Sequence, residues 1–118
     1  MKRITLLHPM NLENISDSEL HSGNLSVAKE EREVLVRMLH RLRETERRRL
    51  YSKHKCDSLF EYAVKFLQYS NSQADRRIKA MRLLRDVPEI EEKIESGALN
   101  LTNVALAQKL FIQERKAG

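Results

Sequence analysis

Apolar side chains recur at three- and four-residue spacing along most of this chain, the period of helices that bury one face. Phe60, Ala63, Val64 and Leu67 mark one such face, and Ala74, Ile78, Met81 and Leu84 mark another a little further on. Each set follows a helix-start signal. Ser58-Leu59-Phe60-Glu61 and Ser70-Asn71-Ser72-Gln73 both place a hydroxyl three residues before a Glu or Gln, the pattern of a capping box. Residues 58–85 therefore read as two short helices joined by a tight corner. Such a helix-turn-helix can set its second helix in the major groove of DNA. The corner, Leu67-Gln68-Tyr69-Ser70, puts Gln68 where the general motif prefers glycine. That slot often needs a positive φ, which a glutamine adopts only at a cost.

Around this unit the pattern predicts further helices. Residues 1–15 show no clean period: Lys2 and Arg3 precede Ile4, Leu6 and Leu7, and Pro9 breaks the pattern, so an irregular arm packed through Leu6 and Leu7 is expected. Ser16-Asp17-Ser18-Glu19 is another capping box and opens a short helix with Leu20 as its buried residue. Gly23-Asn24 either ends that helix or bends it into the next, since glycine costs about 1 kcal/mol in a helix interior. One long helix is predicted over 26–51. Val27, Val34, Leu35, Met38, Leu39, Leu42 and Leu50 hold to one side, with Glu30, Glu31 and Glu33 in its first turns and Arg47, Arg48 and Arg49 in its last, as the helix dipole favours. A helix of about 25 residues would be roughly 37 Å long. It serves as a spine for shorter helices. The alternative is an arm that pairs with its twin through Val34, Leu35, Met38 and Leu42.

Residues 52–57 are a polar connection. Beyond the helix-turn-helix, Pro88 at the first helical position and Glu89, Glu91 and Glu92 start a short helix that packs through Val87, Ile90 and Ile94 and is closed by Gly97. Leu99-Asn100-Leu101 reads as an extended link. Thr102 then caps a final helix through Val104, Leu106, Leu110 and Phe111, and 114–118 is a frayed end or the start of a linker. The expected fold is all-α, five or six helices with a long spine helix and a helix-turn-helix-like pair, in one helical domain over 16–113. Its expected core is Leu35, Leu39, Leu42, Phe60, Val64, Leu67, Ile78, Met81, Leu84, Ile90, Ile94, Leu106 and Leu110.

Composition agrees with this picture. The 118 residues suffice for one domain, and three Gly and two Pro are few for a β-rich fold. Trp is absent and aromatics are 5%, so stacking platforms for single-stranded nucleic acid are poorly supplied. A single cysteine, Cys56, excludes an internal disulfide and suits a reducing cytoplasm. No apolar run approaches the roughly 20 residues of a membrane span, and Ile4 to Leu7 is too short for a signal peptide.

Charge adds a partner. The net charge of +5 favours a polyanion, and its distribution matters more than its sum. Residues 76–85 hold five basic residues and no acid; residues 41–55 hold seven against Glu44 and Glu46; residues 86–95 hold five acids and only Lys93. On the second helix of the corner, Gln73, Arg76 and Lys79 are candidates for the major groove, with Ser72 and Arg82 towards the backbone. These are side-chain types that hydrogen-bond base edges and phosphates. Arg47, Arg48, Lys53 and Lys55 are candidate phosphate contacts. Double-stranded DNA is the expected partner.

Residues for catalysis are not nominated. His8, His21, His40 and His54 lack metal-ligand spacing, Cys56 has no second cysteine to complete a zinc site, and no base or orienting group is marked for it as a nucleophile. Neither a P-loop nor a dinucleotide fingerprint is present. No cofactor is expected for these residues.

Several of these pieces, in order, also carry a resemblance. Glu46-Arg47-Arg48-Arg49-Leu50-Tyr51, Ser58-Leu59-Phe60-Glu61-Tyr62, Ser70 with Ala74-Asp75-Arg76-Arg77-Ile78, Leu83-Leu84-Arg85 with Pro88, and Ile94-Glu95-Ser96-Gly97-Ala98-Leu99-Asn100-Leu101-Thr102 lie within residues 39–110. This stretch resembles the helical N-terminal module of a bacterial HNH endonuclease family. The family's HNH motif, with its metal-binding and base histidines, does not occur through Gly118. The resemblance therefore implies a longer parent hydrolase whose nuclease domain, with a divalent metal, lies beyond this targeting module. The helix-turn-helix, Leu83-Leu84, Pro88 and the Ile94-to-Leu99 link also resemble the DNA-binding region of chromosome-partition proteins. Other readings of the same residues are a non-catalytic dimerisation or interaction domain and a stand-alone helix-turn-helix regulator.

Overall fold

The computed structural model describes residues 12–117, which form six α-helices after a short 3-10 turn at Leu12–Asn14, with no strand among them. Helix α1, Asp17–Arg48, opens on the capping box its sequence announces. Ser16 Oγ accepts the Glu19 N–H at 3.1 Å, and the Glu19 carboxylate accepts the Ser16 N–H at 3.0 Å. The backbone bond from Ser16, then its hydroxyl, holds the Glu19 carboxyl below its usual range.

The short helix expected at residue 16 and the spine expected over 26–51 are thus one element of 32 residues, about 48 Å long. Gly23 neither ends it nor meets any neighbour. Once a helix is nucleated and capped, each further residue gains a hydrogen bond, which outweighs the local glycine penalty. The helix stops at Arg49, which adopts the left-handed region at φ 52°. Leu50 and Tyr51 belong instead to the short α2, Leu50–Lys53.

Helices α3, Leu59–Lys65, and α4, Asn71–Asp86, come next, then α5, Ile90–Ser96, and α6, Leu101–Ala117. Three boundaries differ from expectation. Pro88 lies in a turn ahead of α5, where the Ile90 and Glu91 N–H groups donate to Val87 and Pro88 carbonyls, so it is not the first helical residue. Asn100, not Thr102, caps α6: its Oδ1 accepts the Asn103 N–H at 2.8 Å. Residues 114–117, expected as a frayed end, continue α6. Of the irregular arm expected over 1–15, residues 1–11, with Leu6 and Leu7, lie outside the described residues.

Helix α4 is the centre of the packing. It buries Ala74, Ile78, Ala80, Met81, Leu83 and Leu84, lies most extensively against α6, and also meets α1 and α3. Two fully buried alanines, Ala74 and Ala80, let neighbouring helices approach it closely. The C-terminal half of α1 adds Val36, Leu39 and Leu42, and Leu59, Ile90, Ile94 and Val104 complete the cluster. Leu35 and Leu67 pack at its edge, and Val64 is half-buried. Arg32 Nε donates to the Glu95 carbonyl at 2.9 Å, and His40 Nε2 lies 2.6 Å from Glu91 Oε1, tying α1 to α5.

Two expected core residues face solvent instead, Phe60 at 40% and Leu106 at 55% exposure. Helix α3 turns Leu59 and Ala63 inward, and Phe60 lies a hundred-degree step round from Leu59. Helix α6 turns Val104, Ala105 and Gln108 towards the interior, which leaves Leu106 on the far side. Leu20 is likewise exposed rather than buried. The side chain of Leu110 lies outside those described.

Candidate nucleic-acid interface

The corner between α3 and α4 has the geometry its glycine-like slot demands. Gln68 sits at φ 62°, the left-handed region, at a cost of roughly 1–2 kcal/mol for a residue with a Cβ. Tyr69 N–H turns back to the Ala63 carbonyl at 3.3 Å. Tyr69 is then covered by the Arg77 guanidinium, 4.6 Å from its ring centre. Ser70 and Gln73 form the reciprocal box, Gln73 N–H to Ser70 Oγ at 3.1 Å and Ser70 N–H to Gln73 Oε1 at 2.9 Å. At Ser58 the box is displaced by one residue. Ser58 Oγ accepts from Glu61 N–H, whereas the Glu61 carboxylate accepts from Asp57 N–H, at 2.7 Å.

Three of the candidate DNA contacts come together at the exposed start of α4. Ser72 and Gln73 lie on its first turn, with the Gln73 amide oxygen engaged in the cap. Arg76 folds along the same turn: Nε donates to the Ser72 carbonyl at 3.3 Å, Nη2 to Ser72 Oγ at 3.0 Å, and Nη1 reaches Thr102 Oγ1 at 3.4 Å on α6. Lys79 lies further along, 2.9 Å from Asp75. Arg82 is held at the opposite end of the helix, 2.6 Å from Glu46 of α1. The solvent stripe of α4 carries two bases, Lys79 and Arg82, between two acids, Asp75 and Asp86. Asn71, Ser72 and Gln73 on its N-terminal turn are exposed.

The candidate phosphate contacts divide into two kinds. Arg47 and Arg48 both donate to Glu44, at 2.6 Å from Arg47 Nη2 and 2.6 Å from Arg48 Nε. Those hydrogen bonds, Arg47's first, push the Glu44 carboxyl down to about 2. One carboxylate thus serves two guanidinium groups, and the pair keeps a net positive charge. Lys53 and Lys55 are exposed, and like Arg49 they form no ion pair among the described residues.

Beside these lysines lies a ring cluster that sequence reading did not single out. His54 packs 5.5 Å from Phe66 and 5.9 Å from Tyr62, and Lys65 Nζ sits 5.5 Å from the Phe66 ring centre. The four-residue spacing of Tyr62 and Phe66 was visible in the sequence; the arrival of His54 from the preceding loop was not. Cys56 is buried at 3% exposure, its thiol facing the His54 carbonyl at 3.7 Å.

Among the described residues no group of three or more His, Cys, Asp or Glu side chains could hold a metal ion. No described helix is long and apolar enough to cross a membrane. Comparison with known proteins finds no matching family model, no matching curated protein and no matching solved structure.

Proposed function

We propose that this chain is a double-stranded DNA-binding helical module. The observation that carries the reading is the helix–corner–helix of α3 and α4, with Ser72 and Gln73 exposed on the first turn of α4 and Arg76 folded back onto it. A glutamine can pair with the edge of adenine and an arginine with that of guanine, and a helix N-terminus favours nearby phosphate. The Arg82–Glu46 contact sets Glu46, with Arg47 next to it in the chain, beside the other end of α4, about 15 Å from Ser72 along the helix. That separation is comparable to the width of the major groove, about 12 Å. Arg47, Arg48, Lys53 and Lys55 would neutralise phosphates on its rim. These residues bind and orient; no catalytic step is assigned to them. If the parent protein is an HNH-type endonuclease, as the motif resemblance implies, this module targets a hydrolase that binds its divalent metal elsewhere.

A duplex gel-shift titration at low and moderate salt is the test. Arg76→Ala is expected to cost about 1–3 kcal/mol at one base pair if the residue reads a base, and Lys53→Ala to weaken all sequences alike while reducing the salt slope by about 1. Absence of binding to any duplex at low salt overturns the reading.

A further inference from the structure

The first half of α1 has almost no partner among the described residues. Its first buried residue is Val36, and its first link to the body is Arg32 on the Glu95 carbonyl. Along that half and just past it Leu20, Val27 and Val34 recur every seven residues and are 40%, 57% and 50% exposed. Two shallow grooves run along this line. One starts at Leu12 and Ile15 and passes Leu20 and Gly23; the other continues past Val34 and Met38 to Tyr69 and Arg77, and both include Val27 and Glu31. The face is one continuous strip.

A seven-residue repeat is the seam of a two-helix coiled coil, and the positions between the apolar ones define its register. In order the seam reads Asp17, Leu20, Asn24, Val27, Glu31, Val34, Met38 and Arg41, about 36 Å from end to end. The charges in it choose both the occupant and its direction. Two copies laid parallel would set Asp17 on Asp17, Glu31 on Glu31 and Arg41 on Arg41. Laid antiparallel, they set Asp17 on Arg41 at both ends, Leu20 on Met38, Asn24 on Val34 and Val27 on Glu31. Neither Asp17 nor Arg41 has an ion-pair partner among the described residues. The antiparallel arrangement also opposes the two helix dipoles. It lays each free half against the groove that ends at Tyr69 and Arg77, where a parallel pair would bring two bodies to the same level.

We propose that the chain forms an antiparallel homodimer through this face of α1, with Leu20 of each copy seated in the groove of Val34, Met38, Tyr69 and Arg77 on the other. The seam lies higher on the helix than the one expected from sequence, because Leu42 is consumed by the core at 1% exposure and Leu35 packs at its edge. The pairing is independent of DNA binding.

Sedimentation velocity of the full chain over a concentration series tests it, with circular dichroism to verify that each variant is folded. The native chain is expected to sediment as a concentration-dependent dimer. Leu20→Glu should raise the dimer dissociation constant about a hundredfold, because it sets a carboxylate against an apolar groove. Asp17→Arg should raise it about tenfold by like-charge apposition, and Asp17→Arg combined with Arg41→Asp should restore it. Only an antiparallel pair is rescued by that double exchange. A chain that is monomeric at every concentration, association unchanged by Leu20→Glu, or a double exchange without rescue would overturn the proposal.

Discussion

The two halves of α1 share one helical geometry and differ in what covers them. In the C-terminal half Val36, Leu39 and Leu42 are 3%, 0% and 1% exposed, pressed on by α4 and α5. In the N-terminal half Leu20, Leu25 and Val27 lie open. Helicity in the second half is secured by tertiary packing. In the first it rests on the Ser16 box and on propagation from the packed half, since an isolated helix of this length is marginal in water. The boundary falls at Arg32, which grips the carbonyl of Glu95 and lies against Gly97. Apolar spacing alone therefore marks a face without saying whether that face is core.

The largest expected effect sharpens this contrast. Leu39→Ala should destabilise the monomer by about 2–5 kcal/mol in urea unfolding, whereas Leu20→Ala at low concentration should stay within about 0.5 kcal/mol. Equal effects would mean the two halves are not different in kind. Next comes the boundary. Gly97 has φ 87°, and a Cβ there would lie 3.4 Å from Arg32 Cζ. Gly97→Ala should therefore cost roughly 1–2 kcal/mol, read as a lowered midpoint in thermal unfolding, and loosen the grip of Arg32.

A smaller change of opposite sign belongs to the free half. Gly23 has open space around it, so Gly23→Ala should stabilise the local helix by about 1 kcal/mol. Slower amide exchange near residue 23, with the global unfolding midpoint nearly unmoved, is the expected record. The smallest effect is electrostatic and lies at the packed end. Glu44 titrates at about 2 in the folded chain against an ordinary value of 4.5. A depressed carboxyl pKa contributes stability that is complete above the ordinary value and is lost as pH falls through the folded one. The last turn of α1 should then fray between about pH 4.5 and 2, monitored by NMR, and Glu44→Gln should abolish that pH dependence.

The all-α architecture and most helix starts were legible because their signals close within a few residues. Ser16 with Glu19 and Ser70 with Gln73 find each other inside one turn, whatever lies across the fold. The left-handed slot at Gln68 was legible for the same reason. The surroundings of the proposed groove residues were legible only in part. Ser72, Gln73 and Arg76 gather at the start of α4 because they are neighbours in sequence, whereas the partners of Arg82 and Arg76, Glu46 and Thr102, arrive from other helices.

What the sequence by itself determined is local: the helix starts at Ser16, Ser58 and Ser70, whose signals close within one turn, and the corner's backbone conformation. Tertiary structure decided which side of each helix is inside. Helix α3 has seven residues, too few for its apolar spacing to single out Leu59 and Ala63 over Phe60, and the choice passed to α1 and α4, which cover it. On α6 the inward positions are Val104, Ala105 and Gln108, set by its packing against α4, although Leu106 is the larger hydrophobe. Burial is a property of two surfaces meeting, and a single helix's pattern describes only one of them.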